Sequence, residues 1–73
     1  MKYAVEQRIR FIDFLLHQYG NVNRSALVDW FGISVPQATK DIKDYLKIAP
    51  DNMRYSVNLK CYLKNPEFVR VWE

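Results

Sequence analysis

Gly32-Ile-Ser-Val-Pro-Gln-Ala-Thr-Lys-Asp-Ile-Lys43 is the stretch on which the fold turns. Ser34 has the character of an N-cap, and Gln37 three residues on completes a capping box in which each side chain serves the other's backbone N–H. Pro36 falls in the first turn, where its missing N–H leaves no hydrogen bond unmade. Ala38, Ile42, Tyr45 and Leu46 then recur on one face, while Gln37, Lys40, Lys43, Asp44 and Lys47 lie away from it. The pattern predicts an amphipathic helix opened by Ser34 and stopping before Pro50.

Working backwards, Gly32 closes a shorter helix over Arg24 to Phe31, with Asn23 as N-cap and Leu27, Val28 and Phe31 turned inward. Asn21, Val22 and Asn23 read as a short connection. Before them, Tyr3 to Tyr19 contains neither Gly nor Pro and ends at Gly20, the residue suited to the C′ position. Val5, Ile9, Ile12, Leu16 and Tyr19 form its core stripe, with Leu15 beside them. Phe14 points to nearly the opposite side and Phe11 to the flank.

Working forwards, the period changes from helical to alternating. Met53, Tyr55 and Val57 share one face of an extended segment, with Arg54 and Ser56 on the other. A second extended run covers Lys60 to Lys64, and Asn58-Leu59 is read as the hairpin turn between them. Without an Asn-Gly pair the turn type stays open. Phe68, Val69, Val71 and Trp72 make the tail too apolar to be left in water.

Composition bounds the function. A chain of 73 residues reads as a single domain, 1–73, with little room for a catalytic cleft beside its core. At 49% hydrophobic and 15% aromatic it can fold without a disulfide or a metal. The lone Cys61 has no partner and His17 no neighbour at ligand spacing, so no metal, cofactor or enzyme activity is expected. No run approaches the ~18 apolar residues of a membrane span. The start carries no apolar signal core, so the expectation is a cytoplasmic protein. Net charge is only +3, yet residues 34 to 64 hold six basic residues against Asp41, Asp44 and Asp51, while the remainder balances five against five. The whole surplus sits in the middle segment, as expected of a surface that meets a polyanion.

Helix, connection, helix, turn, helix and hairpin give an α+β winged helix-turn-helix: three helices, a two-stranded wing and a packed C-terminal tail. In that order of elements the third helix presents its first residues to base edges in the major groove of double-stranded DNA. The opening turn of the second helix, with Arg24 and Ser25, suits a phosphate. Arg54, Asn58, Lys60 and Lys64 on the wing follow the backbone or dip into the minor groove.

Arg8-Ile-Arg-Phe-Ile-Asp-Phe14, Asn23-Arg-Ser, Phe31-Gly-Ile-Ser34, Gln37-Ala, Asp41-Ile-Lys43 and Ala49-Pro-Asp-Asn-Met-Arg-Tyr55 carry a family likeness. The chain resembles the N-terminal winged helix-turn-helix of WYL-domain transcriptional regulators, particularly repressors found beside bacterial anti-phage defence systems. The likeness runs from Arg8 to about Phe68, and the Ala-Pro-Asp-Asn link is its most specific part. It implies a DNA-binding repressor in which Gln37, Thr39 and Lys40 read bases and Val35 and Pro36 touch thymine methyls. Lys43, Lys47, Arg24, Lys60 and Lys64 are implied as phosphate contacts. Those relatives continue into a ligand-sensing WYL domain and a dimerising region that this sequence lacks, so effector sensing is not carried over. The chain reads either as a free-standing relative, of phage or mobile-element origin, or as the excised domain.

Blander readings compete. The third-helix lysines could be a solvated face paired with Asp41 and Asp44, and Trp30 could simply complete the core. Phe11, Phe14, Phe68, Val71 and Trp72 leave two options: the tail covers the first helix within one protomer, or two copies pair there as a homodimer, which operator symmetry favours. A winged helix can also serve as a protein adaptor that never touches nucleic acid. RNA or single-strand binding is weaker, because the third helix offers no aromatic stacking platform.

Overall fold

A computed structural model describes residues 2–72. Helix α1 spans Tyr3–Tyr19, strand β1 Asn21–Val22, α2 Arg24–Phe31, α3 Val35–Ile48, β2 Met53–Ser56 and β3 Cys61–Lys64. Local chemistry sets the boundaries. Gly20 and Gly32 adopt left-handed φ values of 78° and 65°, and each donates its N–H back to the preceding helix, to the Leu16 and Val28 carbonyls. Asn23 accepts from the Ala26 N–H at 2.9 Å and opens α2. Ser34 accepts from the Gln37 N–H at 3.2 Å and opens α3.

The three helices enclose a core of Ile9, Ile12, Leu16, Leu27, Ala38, Ile42 and Tyr45, closed from the sheet side by Val22 and Met53. Fully burying each larger aliphatic residue contributes about 1.5–3 kcal/mol. This assembly fixes the angle at which α3 faces outward. The expected stripe of α1 holds at Ile9, Ile12 and Leu16 but fails at its end, where Tyr19 is exposed. The inner side of the last turn carries the buried Leu16, and Tyr19 falls on its solvent side.

The sheet departs from expectation. Asn21 and Val22 are not a plain connection: they pair with Leu63 and Tyr62, giving a three-stranded antiparallel sheet of order β1-β3-β2. This anchors the wing to the helices through the Val22 side chain, which is buried. In the hairpin, Arg54 faces Leu63, Tyr55 faces Tyr62 and Ser56 faces Cys61. The connection is a four-residue turn, 57–60, not a two-residue one. Val57 therefore leaves the strand, and Lys60 belongs to the turn, with a left-handed φ of 55° and its N–H on the Ser56 carbonyl at 2.7 Å.

The tail folds back over α1, held by buried polar groups. Asp13 of α1 is inaccessible to solvent. Its carboxylate accepts from the Tyr45 hydroxyl at 2.6 Å and from the Val71 and Trp72 N–H groups at 3.0 and 3.1 Å. Arg70 completes the shell at 3.5 Å. Asn52 donates to the Tyr45 hydroxyl and the Val69 carbonyl, and accepts from the Val69 N–H. Burial, and then the bond to Asp13, push the Tyr45 hydroxyl well above the ordinary tyrosine pKa.

A raised pKa stabilises the protonated folded form. Its contribution is complete below about pH 10, the ordinary tyrosine value, and is lost as pH rises beyond it, because the unfolded chain then ionises first. The urea midpoint is therefore expected to fall above about pH 10, and to fall less in Tyr45→Phe; equal slopes in the two proteins would remove Tyr45 as the cause.

Candidate nucleic-acid interface

Helix α3 divides sharply. Ala38, Asp41, Ile42 and Tyr45 are buried, whereas Val35, Pro36, Lys40, Lys43 and Lys47 are exposed and Gln37 and Thr39 are half-buried. The first turns of α3 thus form a solvent-facing rod, with Val35 presented at 49% exposure. Among the described residues, nothing covers Val35, Pro36, Lys40 or Lys43.

Two acidic residues that sequence reading placed among the lysines behave differently. Asp41 is fully buried and accepts from the Arg8 guanidinium at 2.6 Å, so α1 neutralises it internally. Only Asp44 meets a lysine, Lys40, at 3.1 Å in an exposed i,i+4 pair. Such pairs contribute a few tenths of a kcal/mol and yield readily to a stronger anion. The surface around α3 is consequently more positive than the residue count suggests.

Gln37 also differs from the capping box read in the sequence. Its carboxamide donates to Asp41 at 2.9 Å instead of returning to Ser34, so only half of the box forms. A base contact by Gln37 requires that bond to open. Thr39 accepts from the Arg24 guanidinium at 3.3 Å, tying the start of α2 to α3.

Both residues line a groove of about 260 Å³ between the two helices and the wing, together with Asn23, Tyr55, Lys60 and neighbours. Two cations, Arg24 of α2 and Lys60 of the wing, are among its lining residues. A shallower depression joins Arg24 and Ser25 to Val35. The structure therefore brings together Arg24, Ser25, Val35, Thr39 and Lys60, with Lys40, Lys43 and Lys47 continuing along α3. Asn58 stands at the wing tip. Arg54 and Lys64 lie at the ribbon's other end, already engaged: Arg54 donates to Asn65 at 2.8 Å, and the Lys64 ammonium sits 5.6 Å from the Phe68 ring centre.

Tyr55 is 53% exposed and lines the groove, whereas Met53, read on the same strand face, is buried. Its ring meets Tyr62 edge-on at 5.1 Å. Alternation alone could not reveal this, because the twist of a short ribbon decides how far α3 covers its inner face.

A second surface patch is aromatic. Phe11 stacks on Trp30 at 5.5 Å and meets Phe31 edge-on at 5.3 Å. Trp30 does not complete the core but stands 71% exposed, and Phe14 beside it is 40% exposed. Trp72 and Phe68 are half-buried and pack against the core, so the tail covers part of this face while Phe14 and Trp30 stay open. No helix among the described residues is long and apolar enough to cross a membrane.

Comparison with known proteins agrees with this geometry. Residues 4–72 match the family model of the BrxR transcriptional regulator winged helix-turn-helix domain. The chain is 44% identical over 71 residues to the DNA-binding transcriptional repressor CapW of Escherichia coli strain KTE188, covering 97% of this chain and 24% of that protein. It is 42% identical over 71 residues to CapW of Pseudomonas aeruginosa, with the same coverage. With CapW of Stenotrophomonas maltophilia the identity is 40% over 68 residues, 93% of this chain and 23% of that one. The chain spans about a quarter of the length of these relatives.

Proposed function

Because the chain belongs to the BrxR transcriptional regulator winged helix-turn-helix domain family, we propose that it binds double-stranded DNA by sequence and represses transcription by occupying an operator. The carrying observation is the open first half of α3 beside a groove lined by Arg24 and Lys60. Residues 1–73 act in this reading as one DNA-binding domain, in the compartment where DNA resides, the bacterial cytoplasm.

Val35, Pro36, Thr39 and Lys40 meet base edges in the major groove, with Gln37 joining once it leaves Asp41. Lys40 suits a guanine and Gln37 an adenine, each good pairing contributing about 1–3 kcal/mol of discrimination. Arg24, Ser25, Lys43, Lys47, Asn58 and Lys60 hold the phosphates on either side. Arg54 and Lys64, occupied at the ribbon's base, fall outside this set.

Selection from random duplex DNA is expected to enrich one motif, and enrichment of none would contradict the reading. On the enriched duplex, Lys43→Ala should reduce the slope of log K against log salt by about 0.9. It should weaken matched and scrambled duplexes alike. An unchanged slope would remove Lys43 from the phosphate contacts.

Two copies pair, in the same reading, through Phe11, Phe14 and Trp30, with Phe68, Val71 and Trp72 of the tail bordering the patch. A repeated half-site needs a two-fold protein, and an open aromatic patch of this kind marks a partner surface. Sedimentation is expected to show a dimer on an inverted-repeat duplex, reduced to a monomer by Trp30→Ser; one protomer per duplex in the wild type would end the pairing.

A further inference from the structure

The tip of the wing holds two apolar side chains that the fold does not use. Val57 and Leu59 are 77% and 66% exposed in the turn 57–60. Turns in water favour Gly, Asn, Asp, Pro and Ser, so a branched apolar pair here needs another explanation. The surroundings carry no negative charge: from Asn52 to Pro66 there is no acidic residue, and Lys60 stands in the turn itself.

The turn is also pre-shaped. Ser56 Oγ accepts from the Leu59 N–H at 3.2 Å, and the Lys60 N–H bonds the Ser56 carbonyl at 2.7 Å. Lys60 is, among the described residues, the one non-glycine with a left-handed φ, a conformation most side chains avoid. A loop held this way presents Val57 and Leu59 with little ordering entropy left to lose on contact. It is also continuous with the DNA-facing groove, since Lys60 lines that groove with Arg24 and Thr39.

We propose that Val57 and Leu59 form an apolar wedge that enters the minor groove next to the site read by α3, opens a base step there and bends the duplex. This rests on the DNA-binding reading above. Half a helical turn of DNA is about 17 Å, well within the molecule's 29 and 28 Å extents, so one protomer can hold a major groove and the adjacent minor groove together. Apolar side chains inserted between base steps unstack and kink them, and flexible pyrimidine–purine steps yield most easily. Sequence preference then arises at a base pair that receives no hydrogen bond from the protein.

The test uses the 73-residue chain and the duplex enriched by selection, labelled with a donor and acceptor dye at its ends. Wild type is expected to shorten the end-to-end distance. The double variant Val57→Ser, Leu59→Ser is expected to leave the duplex straight and bind roughly tenfold more weakly, with an unchanged circular dichroism spectrum because neither side chain packs on the core. Replacing the flanking pyrimidine–purine step by a stiff A-tract should weaken wild type and spare the variant. Wild type that binds without bending overturns the wedge and leaves DNA binding intact. A variant that binds and bends as wild type does also overturns it. Failure to bind any duplex sinks both readings at once.

Discussion

Asp13→Ala is expected to lower the melting temperature by roughly 12–24 °C. The carboxylate is fully buried and accepts from the Tyr45 hydroxyl, the Val71 and Trp72 N–H groups and Arg70. Alanine leaves the buried Tyr45 hydroxyl, two part-buried N–H groups and the partly exposed Arg70 without this acceptor. Removing one partner of such a network costs about 3–5 kcal/mol, and a domain of this size loses about 4–8 °C per kcal/mol; the lower cost gives the range stated. Asp13→Asn should be milder, since the carboxamide oxygen still accepts from the tail while its NH₂ group faces donors. A thermal melt followed by circular dichroism decides the matter, and a loss under about 5 °C would mean that the tail is not held by this residue.

Thr39→Ala combined with Lys40→Ala is expected to cut discrimination between the selected duplex and a scrambled one by between thirtyfold and a thousandfold. Two base contacts at about 1–3 kcal/mol each would sum to more, but adjacent residues couple and their effects add incompletely. Taking about 2–4 kcal/mol together gives that range. Neither change touches the core: Lys40 is exposed, and Thr39 contacts Arg24 at the surface. Loss of binding to both duplexes in equal measure would instead mark these residues as phosphate contacts.

The helices were legible because their ends carry local signals. Asn23 and Ser34 cap the predicted starts of α2 and α3, and Gly20 and Gly32 take the left-handed conformation expected of helix ends. The face of α3 followed from the spacing of Ala38, Ile42 and Tyr45, all buried as read. Strand β1 was hidden because two residues have no period, and its pairing with β3 lies some 40 positions away in sequence. The turn of the wing was misjudged because Lys60, not a glycine, takes the left-handed position.

The candidate site was legible in part. Lys40, Lys43 and Lys47 are outward as the helical period required. Their relation to Arg24, Tyr55 and Lys60 depends on how α2 and the ribbon pack, which no local pattern encodes. Asp13 and Asp41 were missed for a related reason: each adjoins a buried stripe, and the groups that hold it inside come from other elements, Tyr45 and the tail for Asp13 and the Arg8 guanidinium for Asp41. Trp30 was placed inside because large aromatics usually pack there, but it stands 71% exposed, with its ring stacked on Phe11.

Amide chemical shifts of the isotopically labelled chain, followed while the selected duplex is added, map the surface that DNA touches. The largest changes are expected on Val35, Thr39, Lys40 and Lys43, on Arg24 and Ser25, and on residues 57–60. Changes confined to the Phe14 and Trp30 side, with the first turns of α3 unmoved, would contradict a DNA-facing α3.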